Sequence, residues 1–127
     1  MAIKFKAVAK GEPGVKGGGT KKYYASPVLD GEADLDMITK SIAKISTVSG
    51  ADIRAVLYAM VETMDDMLAE GKIVRLGELG SLRVSFSSNG HEKETEVGGK
   101  SIKSSKVIFT PGKMIKKMLT SLDYKKA

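Results

Sequence analysis

The sequence predicts an α+β fold with a β-hairpin, two helices, a three-stranded antiparallel sheet and a short last helix. Three observations support this prediction. Apolar and polar residues alternate in residues 3–8, as they do in strands, and residues 21–29 are again strand-like in composition. Apolar residues then recur at helical spacing between residues 34 and 71, and alternation returns from residue 73. A last helical stripe follows Pro111.

The hairpin is predicted for the first 33 residues. Ile3 and Phe5 alternate with lysines in the first strand, and residues 21–29 form the second, with Pro27 marking an edge or an end. Between them, residues 10–20 contain five glycines and a proline, which is typical of a loop. We therefore divide the chain into a hairpin extension at residues 1–33 and a main domain at 34–127, and we expect the two to form a single compact domain overall.

The two helices are predicted from their caps and their apolar stripes. Asp34 is the expected N-cap of the first helix, and Ser49 begins a capping-box pattern before the second. Gly71 stands where a C-cap glycine is expected. The second stripe, from residue 53 to residue 68, covers nearly half of the helix circumference, which indicates burial on more than one side, as in a dimer.

The sheet is predicted from residue 73, and its last two strands are expected to extend into a polar arm. Residues 87–101 contain almost no apolar side chain, so we interpret them as the solvated end of that arm. The strand pattern resumes at Ile102. Thr110 and Pro111 are then the expected N-cap and first residue of the last helix.

Charge is unevenly distributed along the chain, which has a net charge of +6. Residues 1–33 carry +3, residues 34–70 carry −4, and residues 71–127 carry +7. This asymmetry favours a protein with one face directed at a polyanion. No apolar run approaches the roughly 20 residues of a membrane-spanning helix, and no membrane partner is predicted.

Catalysis is not predicted. Gly14 and Gly19 have the spacing of a phosphate-binding loop, but Thr20 occupies the position of its lysine. His91 is the single histidine and the chain has no cysteine, which argues against a transition-metal site and against an oriented general base. The sequence therefore predicts a binding protein rather than an enzyme, without a metal or other cofactor.

Three segments, taken together, resemble a known family. They are residues 67–76 (MLAEGKIVRL), residues 79–84 (LGSLRV) and residues 109–113 (FTPGK). In this order they are similar to the bacterial histone-like family of HU and integration host factor. The hairpin and the motif at residues 22–25 (KYYA) resemble a histone-like subfamily of Bacteroidetes-type bacteria.

The resemblance implies an intertwined homodimer whose helices form a base and whose two β-ribbon arms reach around double-stranded DNA. It implies a nucleoid-associated, cytoplasmic protein that binds DNA without sequence specificity and has no small-molecule substrate. Lys113 matches the lysine of the family's signature, and Lys106 and Arg83 fall in the strands that flank the arm. Lys100, Lys103 and Lys106 also recur every three residues along the predicted return strand, and Lys116 and Lys117 follow Lys113 on the last helix. The predicted DNA-contacting residues are Lys113, Lys106, Lys103, Lys100, Arg83, Lys116, Lys117 and Arg75.

Two departures from the family leave a second hypothesis open. No proline lies between Gly80 and Pro111, so the wedge that kinks the duplex in the family is missing and weak bending is expected. Serines replace the arginines of the arm's first strand, and Glu92, Glu94 and Glu96 alternate further on, which could place three negative charges on one face. The alternative is a dimeric scaffold or protein-interaction module that has the same fold and has lost strong DNA binding.

Overall fold

The computed structural model describes all 127 residues and has the predicted α+β architecture. Its contacts divide the chain into two compact units. The hairpin unit contains Met1–Ala33 and Met118–Ala127, and the helix–arm unit contains Asp34–Lys117. The strands are β1 (Ile3–Lys10), β2 (Lys22–Val28), β3 (Val74–Arg75), β4 (Gly80–Ser88), β5 (Ile102–Pro111) and β6 (Tyr124–Lys126). The helices are α1 (Leu35–Ile45), α2 (Gly50–Ala69) and α3 (Lys113–Thr120).

The hairpin unit contains the predicted antiparallel pair and one strand that the sequence analysis did not find. β1 and β2 pair from Lys4 opposite Val28 to Lys10 opposite Lys22. β6 joins the other edge of β1 in parallel, and the amide of Ile3 donates to the Asp123 carbonyl at 2.8 Å. Three residues are too short to show a period, so no sequence pattern indicated β6. Residues 118–127, which the predicted division placed in the main domain, group with the hairpin.

The first two helices begin at the predicted N-caps, and the second ends at the predicted glycine. The Asp34 carboxylate accepts from the amide of Met37 at 2.9 Å, and the Ser49 hydroxyl accepts from the amide of Asp52 at 3.2 Å. At the end of α2, Gly71 has a φ of 85°, and its amide donates to the Leu68 carbonyl at 3.0 Å. The left-handed backbone of a C-cap explains the glycine there.

The sheet of the helix–arm unit has the order β3-β4-β5, with antiparallel neighbours. Directly opposite residues of paired strands share a face of the sheet. Leu82 lies opposite Phe109, Val84 opposite Val107, and Val74 opposite Leu82. One face of this sheet is therefore apolar, and the alternate residues make up a polar face.

The last helix begins later than predicted. Pro111 still pairs with Gly80 in the sheet, and the Gly112 amide donates to the Leu79 carbonyl at 2.9 Å. These contacts keep the chain extended through residue 111, so Thr110 and Pro111 are not the cap and first turn. Helical bonding starts with the Lys116 amide donating to the Gly112 carbonyl at 2.9 Å. A side chain at Gly112 would collide with the Glu78 carbonyl, which explains the glycine.

The end of the arm, residues 89–101, is solvated as predicted, since all of it except Ser101 is exposed, but internal hydrogen bonds hold it in a defined conformation. We call this segment the cap. Ser101 is 4% exposed; its hydroxyl accepts from the Gly98 amide at 3.1 Å and lies 2.9 Å from Nε2 of His91. The Ser101 carbonyl accepts from the Asn89 amide at 2.7 Å. Glu94–Glu96 form a 3₁₀ turn, so the three glutamates do not line one face of a strand.

Large apolar areas are exposed on the single chain. Its accessible surface is 10,782 Å², whereas a folded chain of this mass typically exposes about 6,500 Å². Ile53 and Val74, at 6% and 8% exposure, are the only large apolar residues that are buried. On α2, Val56 is 64% exposed, and Val107 on the apolar face of the sheet is 54% exposed.

No helix of the chain combines the length and the hydropathy that crossing a membrane requires.

Candidate nucleic-acid interface

The polar face of the sheet brings together three of the predicted site residues. Arg75 lies opposite Ser81, and Lys106 lies opposite Ser85. Arg83 is two residues from both serines on β4, so its side chain leaves the sheet on the same face. The three cations therefore share one face across three strands.

Hydroxyl groups fill the positions between these cations. Ser87 lies opposite Ser104, and their hydroxyl oxygens are 2.9 Å apart. Each hydroxyl can donate one hydrogen bond and accept others, so it can bind a phosphate oxygen without carrying charge. The hydroxyl-bearing residues of this face are Ser81, Ser85, Ser87, Ser104 and Thr110.

No carboxylate lies on the polar face. Its remaining member is Ile108, which pairs with Arg83. Arg75, Arg83 and Lys106 form no ion pair within the chain, whereas Arg54 and Lys40 on the helices pair with Asp36 and Lys72 pairs with Glu70. The helices thus neutralise much of their own charge, and the cations of the sheet remain available to a partner.

A shallow depression extends the polar face toward the last helix. Arg75 and Lys116 line it together with Gly77, Ser81, Thr110 and Gly112. Its volume is about 340 Å³, enough for a phosphate group with its hydration shell but open to solvent. The depression therefore adds Lys116 to the cations at the β3 end of the sheet.

Two further lysines lie on α3. Lys113 is the first residue of the helix, where the free amide groups and the helix dipole favour an anion. Lys117 follows one turn later, on the same side as Lys113. Lys113 makes no ion pair within the chain, so its ammonium group is not neutralised there.

The structure does not bring Lys100 and Lys103 onto the polar face. Lys100 lies in the 3₁₀ turn Gly99–Ser101 of the cap. Lys103 is the additional residue of a bulge, because Ser87 pairs with Ser104 and Ser88 with Ile102. A spacing of three residues does not keep side chains on one face of a strand, which explains why Lys100, Lys103 and Lys106 separate.

The hydroxyl residues of the polar face were missed by the sequence analysis. Ser85 and Ser87 were noted only as lost arginines, although both alternate with Val84 and Phe86 of the apolar face. That alternation is the signal that could have found them. Thr110 was assigned to the helix cap instead. The interface is thus richer in neutral hydrogen-bonding groups than the lysine pattern indicated.

Comparisons with known proteins agree with this architecture. Residues 1–126 match a family described as an HU domain fused to wHTH, Ig, or glycine-rich motif. Among solved structures, the chain is similar to one named "Putative bacterial DNA binding protein", from Bacteroides vulgatus ATCC 8482, with a TM-score of 0.70 and 16% identity. The match covers 98% of this chain and 48% of that one, so this chain spans about half of its length. No curated protein matches the chain.

Proposed function

The chain belongs to the HU-HIG family of HU domains fused to other motifs, and from this premise we propose that it binds double-stranded DNA as a homodimer without reading its sequence. Its role would be architectural, in the bacterial nucleoid, and no reaction is catalysed. The observation that carries the proposal is the polar face of β3, β4 and β5. It combines Arg75, Arg83 and Lys106 with hydroxyls and contains no carboxylate.

The chemistry of this face suits a phosphate backbone better than base edges. Guanidinium and ammonium groups bind phosphate oxygens in any sequence, and contacts of this kind position a protein without specifying bases. Serine and threonine hydroxyls add neutral hydrogen bonds to the same oxygens. The face therefore supports binding that is independent of base sequence and that weakens as salt is added.

The homodimer in this proposal is supported by the exposed apolar surface. Ile53 of α2 is buried within its own chain. Val56, Met60 and Met67, which lie on the same apolar stripe of the helix, are between 38% and 64% exposed. The apolar face of the sheet leaves Val107 and Phe109 about half exposed. Exposed apolar side chains in such number on one helix and one face of a sheet are typical of a protein–protein interface.

Salt titration tests the electrostatic part of the proposal. We expect the affinity for random-sequence duplex DNA to fall steeply, with a slope of log K against log salt of about −5 or steeper. Such a slope corresponds to roughly six or more phosphate contacts in the dimer. Gel-shift or anisotropy titration at several salt concentrations measures it. A slope near zero would remove DNA from the proposal and favour the scaffold alternative.

Duplex bending is expected to be small. No proline lies in the arm between Gly80 and Pro111, so the proline wedge that kinks the duplex in the family is missing. End-to-end energy transfer on a short labelled duplex should change little on saturation with protein. A sharp bend, of the order of the ~90° reached by strong benders, would contradict this expectation.

A further inference from the structure

The sheet of the hairpin unit carries a second basic face, which is separate from the candidate interface described above. Lys4, Lys6 and Lys10 occupy alternate positions of β1 and therefore leave the strand on one side. Lys22 of β2 lies opposite Lys10, and Lys125 of β6 lies beside Lys4. Five lysines from three strands thus share one face.

The acidic residues of the unit are absent from this lysine face. The other residues on it are Val8, Tyr24, Ser26 and Val28, none of which carries a negative charge. The four acids of the unit are Glu12, Asp30, Glu32 and Asp123, and all of them lie outside its three strands. None of the five lysines forms an ion pair within the chain.

The hairpin unit has a higher density of positive charge than the rest of the chain. Its 43 residues carry eight lysines and four acids, a charge of +4 out of the +6 of the chain. The sequence analysis did not recognise this because it assigned Lys125 and Lys126 to the main domain. Most of the net positive charge of the chain therefore lies in the hairpin unit and not in the helix–arm unit.

The arrangement works against folding, which favours a role in binding. Like charges directly opposite one another in a sheet are destabilising, and the register places Lys10 against Lys22 and Lys4 next to Lys125. No carboxylate on the face compensates for this repulsion. A polyanion bound across the face would convert two repulsive pairs into bridged contacts.

We propose that this lysine face is a second binding site for the phosphate backbone of duplex DNA. This inference rests on the proposed function, from which it takes DNA as the ligand. It adds a DNA contact in the hairpin unit to the one on the polar face of the helix–arm unit. Alternate lysines on β1 are about 6.8 Å apart along the strand, so neighbouring ammonium groups can reach successive phosphates of one strand. Two linked sites on one chain would raise the overall affinity through effective concentration.

Duplex DNA fits this face better than single-stranded nucleic acid. Single-strand binders stack successive bases on several aromatic side chains. Here Tyr24 is the only aromatic residue on the lysine face, because Tyr23 and Tyr124 lie opposite Ala9 and beside Ile3 on the other face. The five lysines with a single tyrosine are therefore suited to the phosphate backbone of a duplex, in which the bases stay paired and do not stack on the protein.

The test compares two triple variants of the full chain that lose the same charge from the same unit. The first, Lys4→Gln with Lys6→Gln and Lys10→Gln, removes three cations from the lysine face. The control, Lys16→Gln with Lys21→Gln and Lys126→Gln, changes two residues outside the strands and one on the opposite face. All six lysines are exposed, so neither variant should lower the thermal unfolding midpoint of the wild type. The first variant removes one lysine from each repulsive pair, so its midpoint should be equal to that of the wild type or higher.

For random-sequence duplex DNA, we expect the first variant to bind at least about tenfold more weakly than the control at low salt. Its slope of log K against log salt should be shallower by about 0.9 for each lost phosphate contact. Equal affinities and slopes for the two variants would overturn the second site while leaving the proposed function intact. Absence of salt-dependent binding by the wild type would instead overturn the proposed function. A larger loss on single-stranded DNA than on duplex would overturn the choice of ligand.

Discussion

Replacing Arg75, Arg83 and Lys106 together by glutamine should weaken binding to random-sequence duplex DNA by about 100-fold or more at low salt. These three residues are the cations of the polar face, and none is neutralised within the chain. Each lost phosphate contact should also make the salt dependence shallower by about 0.9. Across a dimer six cations are removed, so the slope should lose up to about 5. Fluorescence anisotropy with a labelled duplex at several salt concentrations measures both effects.

A control with the same change in net charge separates local contacts from the overall field of the protein. Lys40→Gln with Lys44→Gln and Lys72→Gln removes three cations from α1 and from the residues after α2. Lys40 and Lys72 are already paired with Asp36 and Glu70. This variant should therefore lose only a few-fold in affinity. Equal losses in the two variants would show that net charge, and not the polar face, controls binding.

Replacing Val56 by glutamate should dissociate the dimer and strongly destabilise the fold. On the single chain this side chain is 64% exposed, and a substitution at a solvated helix position usually changes stability by less than about 0.5 kcal/mol. In the proposed dimer the same position is covered by the partner, where an unpaired buried charge costs several kcal/mol. A monomer should therefore tolerate Val56→Glu, whereas the proposed dimer should dissociate and lose stability.

Sedimentation equilibrium and the concentration dependence of the unfolding midpoint are the measurements for this variant. Leu29→Glu is the control, because Leu29 is 88% exposed and lies in the hairpin unit, outside the proposed interface. It should remain dimeric with an unchanged midpoint. If Val56→Glu has the same mass and midpoint as the wild type, α2 does not form the dimer interface.

The sequence predicted those elements whose signals are local. Asp34, Ser49 and Gly71 mark helix ends through bonds to residues within four positions, and the structure confirms all three. The hairpin and the alternation of β4 and β5 were predicted for the same reason. The start of α3 was wrong because a tertiary bond, from the Gly112 amide to the Leu79 carbonyl, prolongs the strand past a plausible cap.

The candidate site was harder to predict because it depends on register. Two side chains on different strands share a face only if the register places them opposite each other, as it does Ser85 and Lys106. The sequence of one strand does not specify how its partner is aligned with it. Lysine spacing along β5 therefore grouped Lys103 with Lys106, although the bulge separates them. The lysine face of the hairpin unit was missed for the same reason, because Lys22 joins the lysines of β1 only through the register of β1 with β2. Lys125 joins them through β6, whose three residues carry no periodic signal.

The cap at the end of the arm has a thermodynamic consequence for association. Thirteen residues connect β4 to β5, and a connection of this length without internal bonds would have to be immobilised when the arm closes on a ligand. Restricting the backbone costs about 1–2 kcal/mol for each residue. Ser101 and His91 already hold this segment in the free chain. The arm is thus preorganised, so it loses less conformational entropy when it binds a ligand, and the loss of affinity from ordering this segment is smaller.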